Sequence, residues 1–212
     1  MKYKGIIFDL DGVICFTDHY HYLAWKALAD KLGIYFDETI NNRLRGVSRM
    51  ASLDIVLERS DRTFTDEEKL AMAEEKNNSY REYLKQMSPA DLAPEVKATL
   101  DWLRAQGLLL AIGSSSKNTR FILAQLGLGD YFDKISDGTN ITRSKPDPEV
   151  FLKAAEYLGL EPKDCLVVED AKAGVEAALA GGMDVAAIGD AASCGLATYN
   201  LTRISDLIDC VQ

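Results

Sequence analysis

Four short apolar runs set the strongest limit on how this chain can fold. They span residues 3–8, 108–112, 165–168 and 185–188. Each is too short for a buried helix. None shows the apolar–polar alternation of a strand with one wet face, so each reads as a strand covered on both sides. Helical patterns separate them. Pro94 opens one; Val96, Leu100 and Leu103 give it an apolar stripe, and Gly107 closes it. Others span about residues 117–126, 148–159 and 171–180, each followed or closed by glycine. Strand–helix alternation of this kind predicts an α/β fold, a doubly wound, Rossmann-like parallel sheet.

One stretch breaks the alternation. Residues 17–88 carry helical periodicity with no strand between the helices. Tyr20, Leu23, Ala24, Ala27 and Leu28 repeat at helical spacing, and a longer helix over about 66–86 places Ala73, Tyr80 and Leu84 on one face. The simplest organisation is a core domain, residues 1–16 and 89–212, with an all-helical insertion at 17–88. Pro89 and Pro94 mark the return to the core.

The 212 residues suffice for one well-buried core with such an insertion. The charge balance, 24 basic against 33 acidic residues, gives −9. That disfavours nucleic-acid binding and docking on anionic membranes, but not a small phosphorylated ligand held by a few local cations. No segment has the ~20 apolar residues of a membrane span, and the N-terminus lacks a signal-peptide pattern. Cys15, Cys165, Cys194 and Cys210 are scattered, without zinc-site spacing. The expectation is a cytoplasmic protein with reduced thiols.

Ligands of open α/β sheets bind beyond the carboxyl ends of the strands. The first run ends at Asp9-Leu10-Asp11-Gly12 and the second at Gly113-Ser114-Ser115-Ser116-Lys117-Asn118. Lys145-Pro146 precedes a later helix, and the third run ends at Glu169-Asp170. Taken singly, an Asp-x-Asp suits a surface turn, a serine run suits a helix cap, and a lysine suits solvent. Together they bring carboxylates, hydroxyls and one cation to a single sheet edge.

This ordered set resembles the haloacid dehalogenase superfamily of phosphoryl-transfer enzymes. The resemblance implies that Asp9 is a nucleophile forming an aspartyl phosphate, so that the chain is transiently a phosphoprotein. It implies a Mg2+ ion held by Asp9, Glu169 and Asp170, with Asp11 contributing its backbone carbonyl, because hard oxygen ligands suit that ion. The Asp11 side chain is then the general acid and base. Ser114 and the amides of Ser115 and Ser116, expected at a helix start, would donate to the phosphoryl group. Lys145 would place a positive charge between Asp9 and the phosphoryl oxygens.

A narrower resemblance extends into the insertion. Tyr20-His21-x-x-Ala24-Trp25-Lys26-Ala27, Leu44-Arg45-Gly46-Val47-Ser48-Arg49-x-x-Ser52-Leu53, Lys76-Asn77-x-x-Tyr80 and Ser88-Pro89-Ala90-Asp91 look like the β-phosphoglucomutase family. That family interconverts β-glucose 1-phosphate and glucose 6-phosphate through β-glucose 1,6-bisphosphate. The resemblance implies that the insertion is a cap and the partner a small sugar phosphate, bound by a monomer.

It also implies a distal phosphate gripped by Arg49, a side chain able to make two parallel hydrogen bonds. Ser116, Lys117 and Asn118 would assist from the core. Leu10, Trp25, Gly46, Val47, Ser48, Ser52, Lys76 and Asn77 complete the implied substrate contacts. His21 would couple cap closure to Asp11, and Thr17 sits at the hinge. Lys76 and Asn77 also share the apolar stripe of Ala73, Tyr80 and Leu84, which suggests a polar ligand between cap and core.

The chain departs from that pattern at Phe16, where an aspartate is usual, at Met50, where an acidic residue is usual, and at Gly113 in place of alanine. A sugar-phosphate or phosphoglycolate-type phosphatase of the same superfamily is the alternative. A phospho-accepting regulatory module needs neither the second carboxylate nor a cap of roughly 70 residues, and a silent sugar-phosphate binder would have lost catalytic positions that are present here.

Overall fold

The computed structural model describes residues 2–45 and 47–212. Strand β1 (Gly5–Phe8) is followed by four helices: α1 (Asp18–Lys31), α2 (Glu38–Asn42), α3 (Arg49–Leu57) and α4 (Asp66–Leu84). Alternation then resumes with α5 (Pro94–Ala105), β2 (Leu109–Gly113), α6 (Thr119–Gln125), β3 (Lys134–Ser136) and α7 (Glu149–Leu158). After these come β4 (Cys165–Glu169), α8 (Lys172–Ala180), β5 (Asp184–Ala187), β6 (Tyr199–Asn200) and α9 (Leu207–Val211).

The strands form one parallel sheet in the order β3-β2-β1-β4-β5-β6. Phe8 is level with Ile112 on one side and Val168 on the other. The residues after these three strands therefore leave the sheet side by side.

Alternate residues of the central strands enter two different apolar clusters. Ile6, Phe8, Leu110, Ile112, Leu166 and Val168 pack with Val96, Leu100 and Leu103 of α5 and Ile122 of α6. Ile7, Ala111, Val167 and Val185 pack with Val150 and Phe151 of α7 and Val175 of α8. Both faces of the sheet are covered, which explains why its strands read as continuous apolar runs.

The helices between β1 and α5 build a third cluster from Trp25, Leu28, Ile40, Leu53, Val56 and Met72. Helix α4 starts at a reciprocal cap: the Thr65 hydroxyl accepts from the Glu68 amide, and the Glu68 carboxylate accepts from the Thr65 amide. Its far end, Tyr80 and Leu84, lies in the first sheet-facing cluster instead.

Strands β3 and β6 were not anticipated from the sequence. The helix after the serine run begins at Thr119, so Ser115 and Ser116 lie in the loop before it rather than at its start. All four cysteines are unpaired. Among the described residues no helix is long and apolar enough to cross a membrane.

Candidate active site

A cavity of about 560 Å³ opens between the C-terminal edge of the sheet and helices α1, α3 and α4. From the sheet side it is lined by Asp9, Asp11, Ser114, Lys145, Glu169 and Asp170, and by residues 115–118. From the helical side come His21, Trp25, Val47, Ser48, Arg49, Ser52, Lys76 and Asn77. Leu10 differs from the expectation: the alternation that aims Asp9 and Asp11 at the cavity buries Leu10 in the apolar cluster behind them. Gly46 lies outside the described residues.

Lys145 is the electrostatic centre of the floor. Its Nζ donates to Asp9 Oδ1 at 2.6 Å and to Glu169 Oε2 at 2.7 Å, and it is 4% exposed. Burial works against the ammonium, but the two carboxylates outweigh it and hold its pKa above the usual lysine value. Burial also raises the Glu169 and Asp170 carboxyls, and the neighbouring Asp9 charge adds to that rise. The floor thus holds more negative charge than one lysine offsets.

Carboxylate oxygens of Asp9, Glu169 and Asp170 lie within 4.8 Å of one another. An all-oxygen donor set with surplus negative charge fits a hard divalent cation. Two glycines make room for it. A Cβ on Gly12 would fall 2.0 Å from Asp170 Oδ2, at a backbone φ of +78°, and one on Gly174 would fall 2.0 Å from Glu169 Cδ. Gly12→Ala is therefore expected to displace Asp170 and weaken divalent-ion binding on the order of 100-fold. Isothermal titration with Mg2+ would check this, and unchanged affinity would refute the cradle.

The Asp11 side chain does not belong to that oxygen cluster. Its carboxylate accepts a hydrogen bond from Thr17 Oγ1, which in turn accepts one from Tyr80 at 3.0 Å. Burial pushes the Asp11 carboxyl up to about 7, against the lowering effect of Thr17. A carboxyl poised there can both give and take a proton near neutrality.

Ser114 is buried, and its Oγ accepts from the Ser116 amide at 3.2 Å. The Ser114 hydroxyl proton remains available to a ligand, but the Ser116 amide does not. The Ser48 hydroxyl is likewise engaged, capping α3 by accepting from Ala51.

The far wall is cationic. Arg49 Nη2 and Asn118 Nδ2 both donate to Asn77 Oδ1, at 2.8 and 2.9 Å. Among the described residues neither Arg49 nor Lys76 has a carboxylate at ion-pair distance. Burial lowers the pKa of both, and Arg49 lowers that of Lys76 further. Lys76 Nζ lies 2.8 Å from His21 Nδ1 and sits over the rings of Trp25 and Tyr80. His21 stacks on Tyr80 at 4.0 Å between centroids, and burial, with Lys76 and Arg49 nearby, holds its pKa well below the usual value. A half-buried guanidinium without a carboxylate partner suits a bound anion.

Sequence reasoning missed Arg45, Asn41 and Asp18, which also line the cavity. Arg45 was visible within the Leu44-Arg45-Gly46 motif, but its partners lie far off in sequence.

The haloacid dehalogenase-like hydrolase family model matches residues 3–182. A β-phosphoglucomutase of Bacillus subtilis (strain 168) is 38% identical over 206 residues, covering 96% of this chain and 91% of that protein. A fructose-1-phosphate phosphatase, YqaB of Escherichia coli (strain K12), is 32% identical over 183 residues, covering 86% and 95%. The crystal structure of a β-phosphoglucomutase from Clostridium difficile superposes with a TM-score of 0.93 at 37% identity, covering 99% of this chain and 96% of that one.

Proposed function

The chain belongs to the haloacid dehalogenase-like hydrolase family, and from that premise we propose that it interconverts β-D-glucose 1-phosphate and glucose 6-phosphate. Transfer runs through β-glucose 1,6-bisphosphate and a phosphorylated Asp9. The observation that carries this reading is the Arg49–Asn77–Asn118 cluster, which lines the same cavity as Asp9. A phosphatase needs one phosphate site, whereas a mutase working through a bisphosphate needs two.

In this reading the phosphoryl group of phospho-Asp9 passes to the C6 hydroxyl of β-glucose 1-phosphate. The P–Oδ bond of Asp9 breaks, a P–O6 bond forms, and Asp11 takes the hydroxyl proton. The bisphosphate then turns end for end, so that Arg49 and Asn118 hold the 6-phosphate. Asp9 attacks the C1 phosphorus, and Asp11 returns the proton to the leaving O1. Lys145 and Ser114 hold the transferring oxygens throughout. A Mg2+ ion held by Asp9, Glu169, Asp170 and the Asp11 carbonyl would offset repulsion between the attacking carboxylate and the phosphoryl dianion.

Residues 17–88 act as the cap over a core of residues 1–16 and 89–212. Trp25, Val47, Ser48, Ser52 and Lys76 line the sugar's side of the closed cavity and exclude water. We read the enzyme as a monomer and as cytoplasmic, the unpaired thiols fitting a reducing compartment. Hydrolysis of a sugar phosphate is the second reading, and the 32% identity to a fructose-1-phosphate phosphatase favours it.

The test is a coupled assay with β-glucose 1-phosphate, Mg2+ and a trace of bisphosphate. Glucose 6-phosphate is the expected product, and inorganic phosphate released at a comparable rate would overturn the mutase reading. Arg49→Ala is expected to lower mutase turnover on the order of 100-fold, since it truncates a partly buried charged contact, while sparing residual hydrolysis. Equal losses in both activities would remove Arg49 from the distal phosphate site.

A further inference from the structure

Besides the contacts at the hinge, the cap meets the core in polar ties on both flanks of the nucleophile. On one flank, Asn77 of α4 accepts from Asn118, in the loop after β2. On the other, Arg45, between α2 and α3, reaches Asp190 in the loop after β5. Its Nη1 donates to Asp190 Oδ2 at 2.7 Å. In the sheet order, β1 with Asp9 and β4 with Glu169-Asp170 lie between β2 and β5. The two ties therefore bracket the floor of the cavity.

The Arg45 tie is anchored at both ends. Its Nε donates to Asp18 Oδ2 at 2.8 Å, and Nη2 bonds the same oxygen, so the guanidinium is held beside the hinge. Asp190 is fixed from below, because the amide of its neighbour Ala191 donates to the Asp170 carbonyl at 3.0 Å. Asp18 follows Thr17 directly, and Phe16, at the usual place of a hinge acid, is 73% exposed and makes no such pair. Asp18 is then the hinge's acidic anchor, with Arg45 spanning from it across the mouth to the core.

We propose that Asp190 is a positioning residue that latches the cap shut through Arg45, and so sets how often the phosphoryl group reaches sugar rather than water. The inference rests on the phosphoryl-transfer reading above. The Asp190 side chain is 84% exposed and that of Arg45 36%. An exposed ion pair shifts an equilibrium by only about two- to five-fold and weakens with salt. That is enough to bias closure, yet weak enough to let product leave each cycle.

The experiment compares wild type, Asp190→Ala and Asp190→Glu on β-glucose 1-phosphate with Mg2+. It counts phosphoryl groups lost as inorganic phosphate against those arriving as glucose 6-phosphate. At low ionic strength Asp190→Ala is expected to raise the fraction lost to water about three-fold, Asp190→Glu to restore it, and high salt to bring wild type and Asp190→Ala together. A wild-type ratio in Asp190→Ala, or a difference that high salt leaves intact, overturns the latch.

Small-angle scattering of the same proteins without substrate gives a readout independent of chemistry. Asp190→Ala should show a larger radius of gyration than wild type at low salt, and equal radii would overturn the latch. If wild type forms no glucose 6-phosphate at all, the mutase reading fails, and the scattering comparison still decides the latch.

Discussion

With asparagine in place of Asp9, turnover is expected to fall at least about 10⁴-fold, because a neutral carboxamide is no nucleophile towards phosphorus. The change is nearly isosteric, and the amide oxygen can still accept from Lys145, which keeps Glu169 as its charged partner. The variant should therefore fold and bind sugar phosphate while forming no phosphorylated protein. Rapid quench followed by intact-mass measurement reads this directly. Wild type should gain one phosphoryl group on mixing with the bisphosphate, and Asp9→Asn should gain none. Turnover within tenfold of wild type in a preparation free of host mutase would remove Asp9 from the chemistry.

Lys145→Met is expected to damage both activity and stability. Methionine fills a similar volume but leaves Asp9 and Glu169 without their shared cation, beside Asp170. Breaking a buried ion pair by removing one partner costs about 3–5 kcal/mol, and losing a charge aimed at the phosphoryl group costs on the order of 10³-fold in kcat.

The pH dependence has a definite sign. Glu169 and Asp170 already have carboxyl pKa values raised by burial. A raised carboxyl contributes stability in its protonated form at low pH and loses it as pH climbs through the folded-state pKa. Without Lys145 that loss steepens. The melting-temperature gap between variant and wild type should be small near about pH 5.5, wide near about pH 8, and narrowed by saturating Mg2+. Equal melting temperatures at about pH 8 would show that Lys145 does not balance this floor.

The central strands were readable because burial on two faces leaves nothing but apolar residues in them, as in Ile6-Ile7-Phe8 and Leu166-Val167-Val168. The edge strands were not. Lys134–Ser136 and Tyr199–Asn200 are two or three residues long and partly exposed, and only pairing with β2 and β5 makes them strands.

The carboxylates and Ser114 were legible as strand-end residues whose convergence follows from a parallel sheet, and Lys145 as the residue ahead of a later helix. Their internal wiring was not: nothing local announces that Lys145 joins Asp9 to Glu169, or that Tyr80 reaches Asp11 through Thr17. The stripe holding Lys76 was visible, whereas its contact with His21, 55 positions away, depends on how α1 and α4 pack. Arg45 went unassigned for the same reason, since Asp190 lies 145 residues further on.

The way α4 is rooted has a mechanical outcome. Tyr80 and Leu84 sit in the sheet's own apolar cluster, while Met72 and Ala73 belong to the helical one. Nineteen residues make a rod roughly 28 Å long at ~1.5 Å per residue. A tilt of about 10° at the rooted end would sweep the free tip through about 5 Å, with Lys76 and Asn77, midway, travelling about half as far. Such a lever turns small repacking around Leu84 into a larger displacement at the rim of the cavity, where Leu70 lies, without opening either apolar interior.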